Sequence, residues 1–423
     1  MLFPAGDGRI PIVSVTGTNG KTTVSRMVAS MLSAAGKTVG LTTTDGIWIA
    51  GQPVAEGDMT GFGSARVVLG DPSVEVAVLE TARGGIVRRS LGYDWSDVGV
   101  VTNVAADHLG MDGIETMGDL VHAKALVAER VRDGGTIVLN ADDAPVAELT
   151  ERKLVGAERK RVVFFSLNAD NQVVRNHLAA GGTAFWAEGG WLLEGRRERI
   201  LRLVREADIP AALGGAARFQ VANCLAAAAA ARGLGLSTAQ VVQALIAFDS
   251  DPADNPGRMN AFEVGSGYVL VDYAHNPAAF EAVTQLTTRW RDRRVTAVFT
   301  APGDREDGLI EESGRVVGRG FDRVIIKEDG DGRGRKRGEV AGLLERGVND
   351  AGCDVECLTV LDEREAVRTA LRTMIDDEIV VVFYDDFRAV RDVLDEFGAA
   401  PTSGLPGSGA LESEREENLV GAR

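Results

Sequence analysis

Residues 10–26 read IPIVSVTGTNGKTTVSR, and no other stretch restricts the chain as tightly. A β-branched run stops at Gly17, a polar loop runs to Gly20, and Lys21 opens an amphipathic segment. A strand, a glycine turn and a helix in that order aim backbone N–H groups and a helix N-terminus at anionic oxygen. The spacing predicts a phosphate loop made of Gly17, Thr18, Asn19, Gly20, Lys21, Thr22 and Thr23. In it Lys21 neutralises terminal phosphates and the Thr22 hydroxyl ligates Mg²⁺. The general pattern wants a glycine where this chain has Val15, so TGTNGKTT is a variant whose first glycine comes two places later.

The same alternation continues. VEVAVLE (74–80), DVGVVTNV (97–104) and GTIVLNAD (135–142) read as buried strands, with helical stretches after the loop, after Met117 and after Asp142. That is an α/β pattern, a mostly parallel sheet with helices on both faces. Residues 161–205 read as short antiparallel strands at an edge. RFQVANCLAAAAAARGLG is an alanine-rich helix ended by glycine, and Ser237 caps a second helix. FDSDPADNPGR (248–258) has the composition of a linker. Beyond it YVLVDYAH, RVTAVFTA, RVIIKED, VECLTV and EIVVVFYD, each followed by a helical segment, make a Rossmann-like domain. The expected division is an ATP-binding central domain over 1–254, a Rossmann-like C-terminal domain over 255–400 and a disordered tail over 401–423.

Acidic residues outnumber basic ones by 62 to 46, a formal charge of −16, which argues against nucleic acid as the main ligand. Three cysteines cannot build a disulfide framework, and Cys353 and Cys357 have no histidine or further cysteine beside them to hold a metal. No segment has the length of apolar chain a membrane span needs, and MLFPAGDGR lacks the basic start and apolar core of a signal peptide. A cytoplasmic protein without membrane contact is the expectation.

Several side chains fall where ligands of open α/β sheets gather, at the carboxyl edge. Glu80 ends VEVAVLE and leads into TARGG; it is either surface decoration or a carboxylate for nucleotide-bound Mg²⁺. VVTNVAADHLG brings Asn103, Asp107 and His108 to the same rim, His108 as a metal ligand or as an ordinary hydrogen-bonded loop residue. Lys124 shares a helical stripe with Leu120, Val127 and Val131, so it either snorkels to water or is chemically altered. In the second half, NPGRMN offers Arg258, and VDYAHNP brings Asp272 and His275 to a strand end.

Taken in order, TGTNGKTT, LETARGG, TNVAADHLG, HAKA, LNADD, PGRMN and VDYAHNP resemble the Mur ligase superfamily of ATP-dependent amide-forming ligases, from about residue 9 to 398. Within it the likeness is to the C-terminal, Mur-ligase-like part of cyanophycin synthetases. The resemblance implies ATP and Mg²⁺ as cofactors, with Lys21 on the phosphates and Thr22 and Glu80 on Mg²⁺. It implies His108 and a carbamylated Lys124 at a second cation, and favours modification over snorkelling for that lysine. It places Asn140 and Asn223 near adenine, Asp272 near ribose and metal, and Arg258 and His275 near the phosphates.

The implied reaction makes an acyl phosphate from a carboxylate and ATP, which an amine then attacks, with domain closure about the linker shutting water out. The implied substrates are small amino acids or peptides, with arginine the amine joined to an aspartate side chain. The KEDGDG loop, with Glu328, Asp329 and Asp331, either receives the guanidinium or is a solvated turn, and Arg83 is a candidate for the substrate carboxylate. The chain begins at the Mur-like part, so aspartate addition is expected to need a partner ATP-grasp chain. Three readings stay open: the ligase, a P-loop kinase or NTPase without an amine acceptor, and a nucleotide-binding partner subunit. A homo-oligomer is open as well.

Overall fold

The structure is a computed structural model and describes residues 8–107, 109–403 and 405–406. The chain gathers into two compact units. One comprises the residues up to Ile209 together with Phe219–Phe248; the other comprises Pro210–Arg218 and the chain from Asp249 onward.

An 11-stranded sheet organises the first unit. Its parallel part runs, in spatial order, Val39–Thr43, Val76–Glu80, Ile12–Thr16, Ser96–Val101, Val131–Asn140, Arg161–Ser166 and Thr183–Glu188. Ile12–Thr16 lies between Val76–Glu80 and Ser96–Val101, with Val13 opposite both Val78 and Val98. All five of its residues are buried, which is why its sequence is a continuous β-branched run and not an alternating one. The connections leaving Ile12–Thr16 and Ser96–Val101 lead toward opposite edges of the sheet, so the crevice where such folds bind ligands opens at the carboxyl end of Ile12–Thr16.

The expectation of short antiparallel strands over 161–205 holds from Thr183 onward and fails at Arg161–Ser166. The helix Gln172–Ala179 carries the chain back between Arg161–Ser166 and Thr183–Glu188, which are therefore parallel. Thr183–Glu188, Trp191–Arg196 and Arg199–Arg205 form an antiparallel meander beyond that pair. At the other edge the ribbon Gly46–Ile49 and Gln52–Glu56 went unread in the sequence. The alanine run lies in the helix Arg218–Gly233, where Ala226, Ala227, Ala228 and Ala230 have 0% exposure. Alanine costs the helix no side-chain entropy and lets neighbouring backbone approach closely.

The second unit holds a seven-stranded sheet, in the order Glu356–Thr359, Arg323–Ile326, Val295–Phe299, Ile379–Phe383, Gly267–Asp272, Asn260–Val264 and Ala400–Pro401. The first five are parallel, and the last two are antiparallel additions. Of the stretch expected as a tail, Pro401 pairs with Phe262 and the Pro406 carbonyl accepts from Trp290 Nε1 at 2.6 Å. Residues 404 and 407–423 lie outside the described residues.

Two helices of this unit, Asp307–Gly320 and Glu339–Asn349, touch backbone to backbone through glycines. A Cβ built on Gly347 would stand 2.0 Å from the Glu311 carbonyl oxygen, and one on Gly314 would stand 2.3 Å from that of Leu344. In an open helix, glycine to alanine gains about 1 kcal/mol. Here overpacking costs about 1–3 kcal/mol and opposes that gain, and the clash with fixed backbone decides the sign. Gly347→Ala is expected to destabilise this unit, read as a lower urea midpoint with an unchanged slope; a raised midpoint would show the helices free to separate.

Candidate active site

The glycine turn is held from beneath by the next strand end. Thr18 N–H donates to the Asn103 carbonyl at 2.9 Å and Asn19 N–H to Asn103 Oδ1 at 2.8 Å. The Asn19 carbonyl accepts from Thr102 Oγ1 at 2.6 Å and from Asn103 Nδ2 at 3.1 Å. Gly20 caps the helix Lys21–Ala34 in the left-handed region, with φ 83° and no side-chain cap. The N-terminus of a helix, with its aligned N–H groups and positive dipole end, favours an anion. A side chain is excluded at both glycines: a Cβ on Gly17 would stand 1.8 Å from Thr102 Oγ1, and one on Gly20 2.3 Å from Asn223 Oδ1. Lys21 Nζ folds onto the Thr18 carbonyl at 2.8 Å.

Thr22, the second residue of the helix, donates its hydroxyl to Glu80 Oε2 at 2.9 Å. Glu80 also accepts from the Thr44 N–H at 3.1 Å and the Thr44 hydroxyl at 2.9 Å, and is only 2% exposed. Burial pushes its carboxyl up, opposed by the charge of Lys21 and the hydroxyls of Thr44 and Thr22. Thr44 is the member the sequence reading missed; its neighbourhood TTTDG was visible, but nothing in the spacing ties it to Glu80. A magnesium ion takes oxygen donors, keeps waters, and uses one or two carboxylates beside substrate phosphates. The Thr22 hydroxyl and Glu80 carboxylate fit that habit. Among the described residues no group of three or more His, Cys, Asp or Glu side chains gathers to hold a metal by itself. His108, the expected ligand of a second cation, lies outside the described residues.

Lys124 sits in the helix Met117–Glu129, which Thr116 and Asp119 start with a reciprocal capping box. It is 3% exposed, so it does not snorkel to water. Burial and the cation of Lys21 push its ammonium well below the ordinary range; Arg83 adds to this, while Asp107 and Asp143 oppose it. Burial there disfavours the ammonium relative to the neutral amine. Asp107 is itself 4% exposed, and Asp143 accepts from Val104 N–H at 2.7 Å.

The remaining expected positions divide. Asn223 packs against Gly20 and gives its amide to Gln220 Oε1 at 2.9 Å. Asn140 spends its amide locally, donating to the Thr102 carbonyl at 2.8 Å and accepting from Asp142 N–H at 2.9 Å. Arg83 is 6% exposed, donates to the Met111 carbonyl at 3.0 Å and pairs with Asp112 at 3.3 Å.

In the second unit the NPGRMN turn is tied by Asn260, whose amide reaches the Ser250 carbonyl at 2.7 Å and the Asn255 carbonyl at 3.0 Å. Arg258 emerges from it stacked on Tyr273, 4.5 Å from the ring centre, and donates to the Tyr384 hydroxyl at 2.5 Å. Asp272 accepts from the N–H groups of Met259 at 3.0 Å and Ala274 at 2.9 Å. His275 meets the Tyr273 carbonyl at 2.8 Å through Nδ1. Arg258, Asp272 and His275 therefore form one cluster, with Tyr273 and Tyr384 as members the sequence did not reveal.

The KEDGDG loop divides, with Glu328 buried and Asp329 half-buried while Gly330, Asp331 and Gly332 form an exposed turn. Glu328 accepts from Gly338 N–H at 2.8 Å and Ala341 N–H at 3.0 Å, so it caps the helix Glu339–Asn349. Asp329 lies 3.7 Å from Lys327 and is pushed up to about 6, chiefly by burial. Asp331 is exposed and turns back onto Arg333 N–H at 2.9 Å. Glu328 and Asp329 border a cavity of about 230 Å³, shared with Arg335, Lys336 and Arg337.

The sequence matches two family models: the Mur ligase middle domain over residues 15–231, and the Mur ligase glutamate ligase domain over 257–384. The chain belongs to the Mur ligase family. It is 44% identical over 393 residues to the cyanophycin synthetase of Trichormus variabilis, a match covering 92% of this chain and 43% of that protein. It thus spans less than half the length of those relatives. To the UDP-N-acetylmuramyl-tripeptide synthetase of Deinococcus radiodurans it is 29% identical, covering 86% and 70%. Among solved structures it resembles a bifunctional folylpolyglutamate synthase/dihydrofolate synthase of Yersinia pestis complexed with AMPPNP and Mn (TM-score 0.64, 21% identity, 93% and 90% covered). It also resembles a pseudomurein peptide ligase of Methanothermus fervidus (TM-score 0.64, 19% identity, 92% and 79% covered).

Two outcomes follow from the geometry. Gly20→Ala forces a side chain onto Asn223 Oδ1 in a left-handed conformation that costs a non-glycine residue roughly 1–2 kcal/mol, so binding of Mg²⁺·AMPPNP measured by calorimetry should weaken by about tenfold. Unchanged affinity would mean the turn is not where phosphates bind. Asp272, an ordinary carboxyl at 3.8 raised to about 6 chiefly by burial, favours folding below pH 3.8 and loses that contribution as pH rises through 6. Asp272→Asn should flatten the fall of the urea midpoint across that window, and an unaltered profile would contradict the assignment.

Proposed function

We propose that the chain is a carboxylate–amine ligase that works through an acyl phosphate and joins arginine to the side-chain carboxylate of an aspartyl peptide. The observation that carries the reading is the linkage of Lys21, Thr22, Glu80 and Lys124: a loop lysine, a hydroxyl hydrogen-bonded to a buried carboxylate, and a buried amine that feels the charge of Lys21. The 44% identity to cyanophycin synthetase supports the choice of substrates.

A carboxylate is a poor electrophile. Its attack on the γ-phosphate of ATP gathers negative charge over the phosphoryl oxygens, and Lys21 and the N-terminal end of the helix it opens offset that charge. A divalent cation held by Thr22 and Glu80 would supply further neutralisation. Arg258, stacked on Tyr273 and anchored by Tyr384, offers a guanidinium to phosphate oxygen. The amine then attacks the acyl carbon, the tetrahedral adduct collapses, and phosphate leaves with the amide formed.

For the amine, the cavity of about 230 Å³ in the second unit gathers both signs of charge, as a zwitterionic amino acid requires. Glu328 is spent on backbone N–H groups, so Asp329 is the carboxylate we assign to the guanidinium, and Lys336, exposed beside it, the cation for the α-carboxylate. Lys124, whose ammonium burial disfavours, is proposed to carry the carbamate. The same reading puts the chain in the cytoplasm, where ATP is available; no described helix is long and apolar enough to cross a membrane.

The ligase reading is tested by ADP release with amino acids and β-aspartyl peptides, together with mass spectrometry of the product. The expected result is ADP formation that requires both partners, and an adduct of peptide plus arginine less one water. ADP release indifferent to the amine would mark an NTPase, and activity only on adding a second protein would mark a partner subunit. The carbamate is tested by ¹³C NMR under ¹³CO₂: a carbamate resonance should appear that Lys124→Ala abolishes, and a spectrum identical in both proteins would refute it.

A further inference from the structure

The chain carries sixteen more acidic than basic residues, yet one cavity of the first unit is ringed by cations. It has a volume of about 790 Å³ and is bordered by Lys160, Arg161, Arg196, Arg199 and Arg232, with Glu194 the one carboxylate. It lies at the starts of Arg161–Ser166 and Thr183–Glu188, the amino ends of the parallel strands, whereas the glycine turn follows the carboxyl end of Ile12–Thr16. The groove is therefore a separate feature from the candidate active site.

Three of the cations have structural work. Lys160 Nζ holds the Ala128, Glu129 and Val155 carbonyls at 2.9, 3.0 and 2.5 Å. Arg232 pairs with Glu194 at 3.1 Å and reaches the Leu236 carbonyl at 2.6 Å, and Arg161 donates to the Gly233 carbonyl at 3.1 Å. Arg196 and Arg199 differ. They stand directly opposite each other across the hairpin, both exposed, and neither makes an ion pair or hydrogen bond among the described residues. Like charges directly opposite in an antiparallel pair cost stability, so an anion between them would relieve a repulsion built into the fold.

The groove's shape bears on what that anion is. Its lining crosses the successive strands Val131–Asn140, Arg161–Ser166, Thr183–Glu188, Trp191–Arg196 and Arg199–Arg205. At about 4.8 Å per strand spacing that is roughly 19 Å, the reach of about six residues of extended chain. Its floor is apolar, with Val163, Phe185 and Leu201. A phosphate ion would leave most of this length empty. We propose that the groove binds an extended acidic peptide, whose carboxylates meet Arg196 and Arg199 while its backbone lies along the apolar floor.

The inference does not rest on the ligase reading, since it needs neither nucleotide nor turnover. The test is fluorescence anisotropy of labelled hexa-aspartate on the full chain without ATP, at low and at 0.3 M salt. Hexa-aspartate should bind, weaken with salt, and lose at least tenfold in affinity in the double variant R196E/R199E. The same reversal at Arg289 and Arg291, exposed on the other unit, should leave binding within twofold. Circular dichroism and the urea midpoint of the double variant check that the hairpin still folds. Equal binding by wild type and R196E/R199E would overturn the proposal. So would equal affinity for di-aspartate, or full displacement by millimolar inorganic phosphate, because either would make the groove a small-anion site.

Discussion

The grip of the strand end at Thr102 and Asn103 on the backbone of residues 18 and 19 is the interaction on which the site depends. Four hydrogen bonds between 2.6 and 3.1 Å fix the backbone of a turn flanked by Gly17 and Gly20. Two glycines are required there, because each would drive a Cβ into a neighbour that helps to hold or flank the turn. The result is a rigid rim whose N–H groups are already oriented when an anion arrives, so little ordering cost is left to meet at binding. The parallel strands supply the rigidity, and the switch in connection direction beside Ile12–Thr16 supplies the opening.

Electrostatics then differentiates groups that composition would treat alike. Glu80 and Lys124 are opposite charges in the same buried region, and both are driven toward neutrality by loss of water. Lys21 acts on them in opposite senses: it favours the carboxylate and disfavours the ammonium. One loop lysine therefore favours the ionised form of a carboxylate and the neutral form of an amine. In the second unit Arg258 is prepared differently, by ring stacking and a tyrosine hydroxyl, so its charge is held in place rather than altered.

Much of this was legible because it depends on local order. The glycine turn, the strand-end positions of Glu80 and Asp272, and the apolar stripe under Lys124 are properties of short segments, and the strands of the second unit announce themselves as continuous apolar runs. What was not legible depends on pairing across distance. The parallel placement of Arg161–Ser166 and Thr183–Glu188 follows from a crossover helix of modest amphipathicity, and the hairpin beyond it biased the reading. Thr44 and Tyr384 look like ordinary strand-end residues until the sheets place them beside Glu80 and Arg258. Glu328 read as an open carboxylate, but a helix N-terminus thirteen residues away claims it. The Arg196–Arg199 opposition needs the hairpin register before it means anything.

The central claim is that this site moves a phosphoryl group onto a carboxylate, and the most direct measurement follows oxygen. With an acceptor peptide labelled with ¹⁸O in its side-chain carboxylate, ligation through an acyl phosphate must break a carbon–oxygen bond of the acceptor. One ¹⁸O per turnover should then appear in inorganic phosphate and one should remain in the amide. Amide product formed alongside unlabelled phosphate would contradict the account.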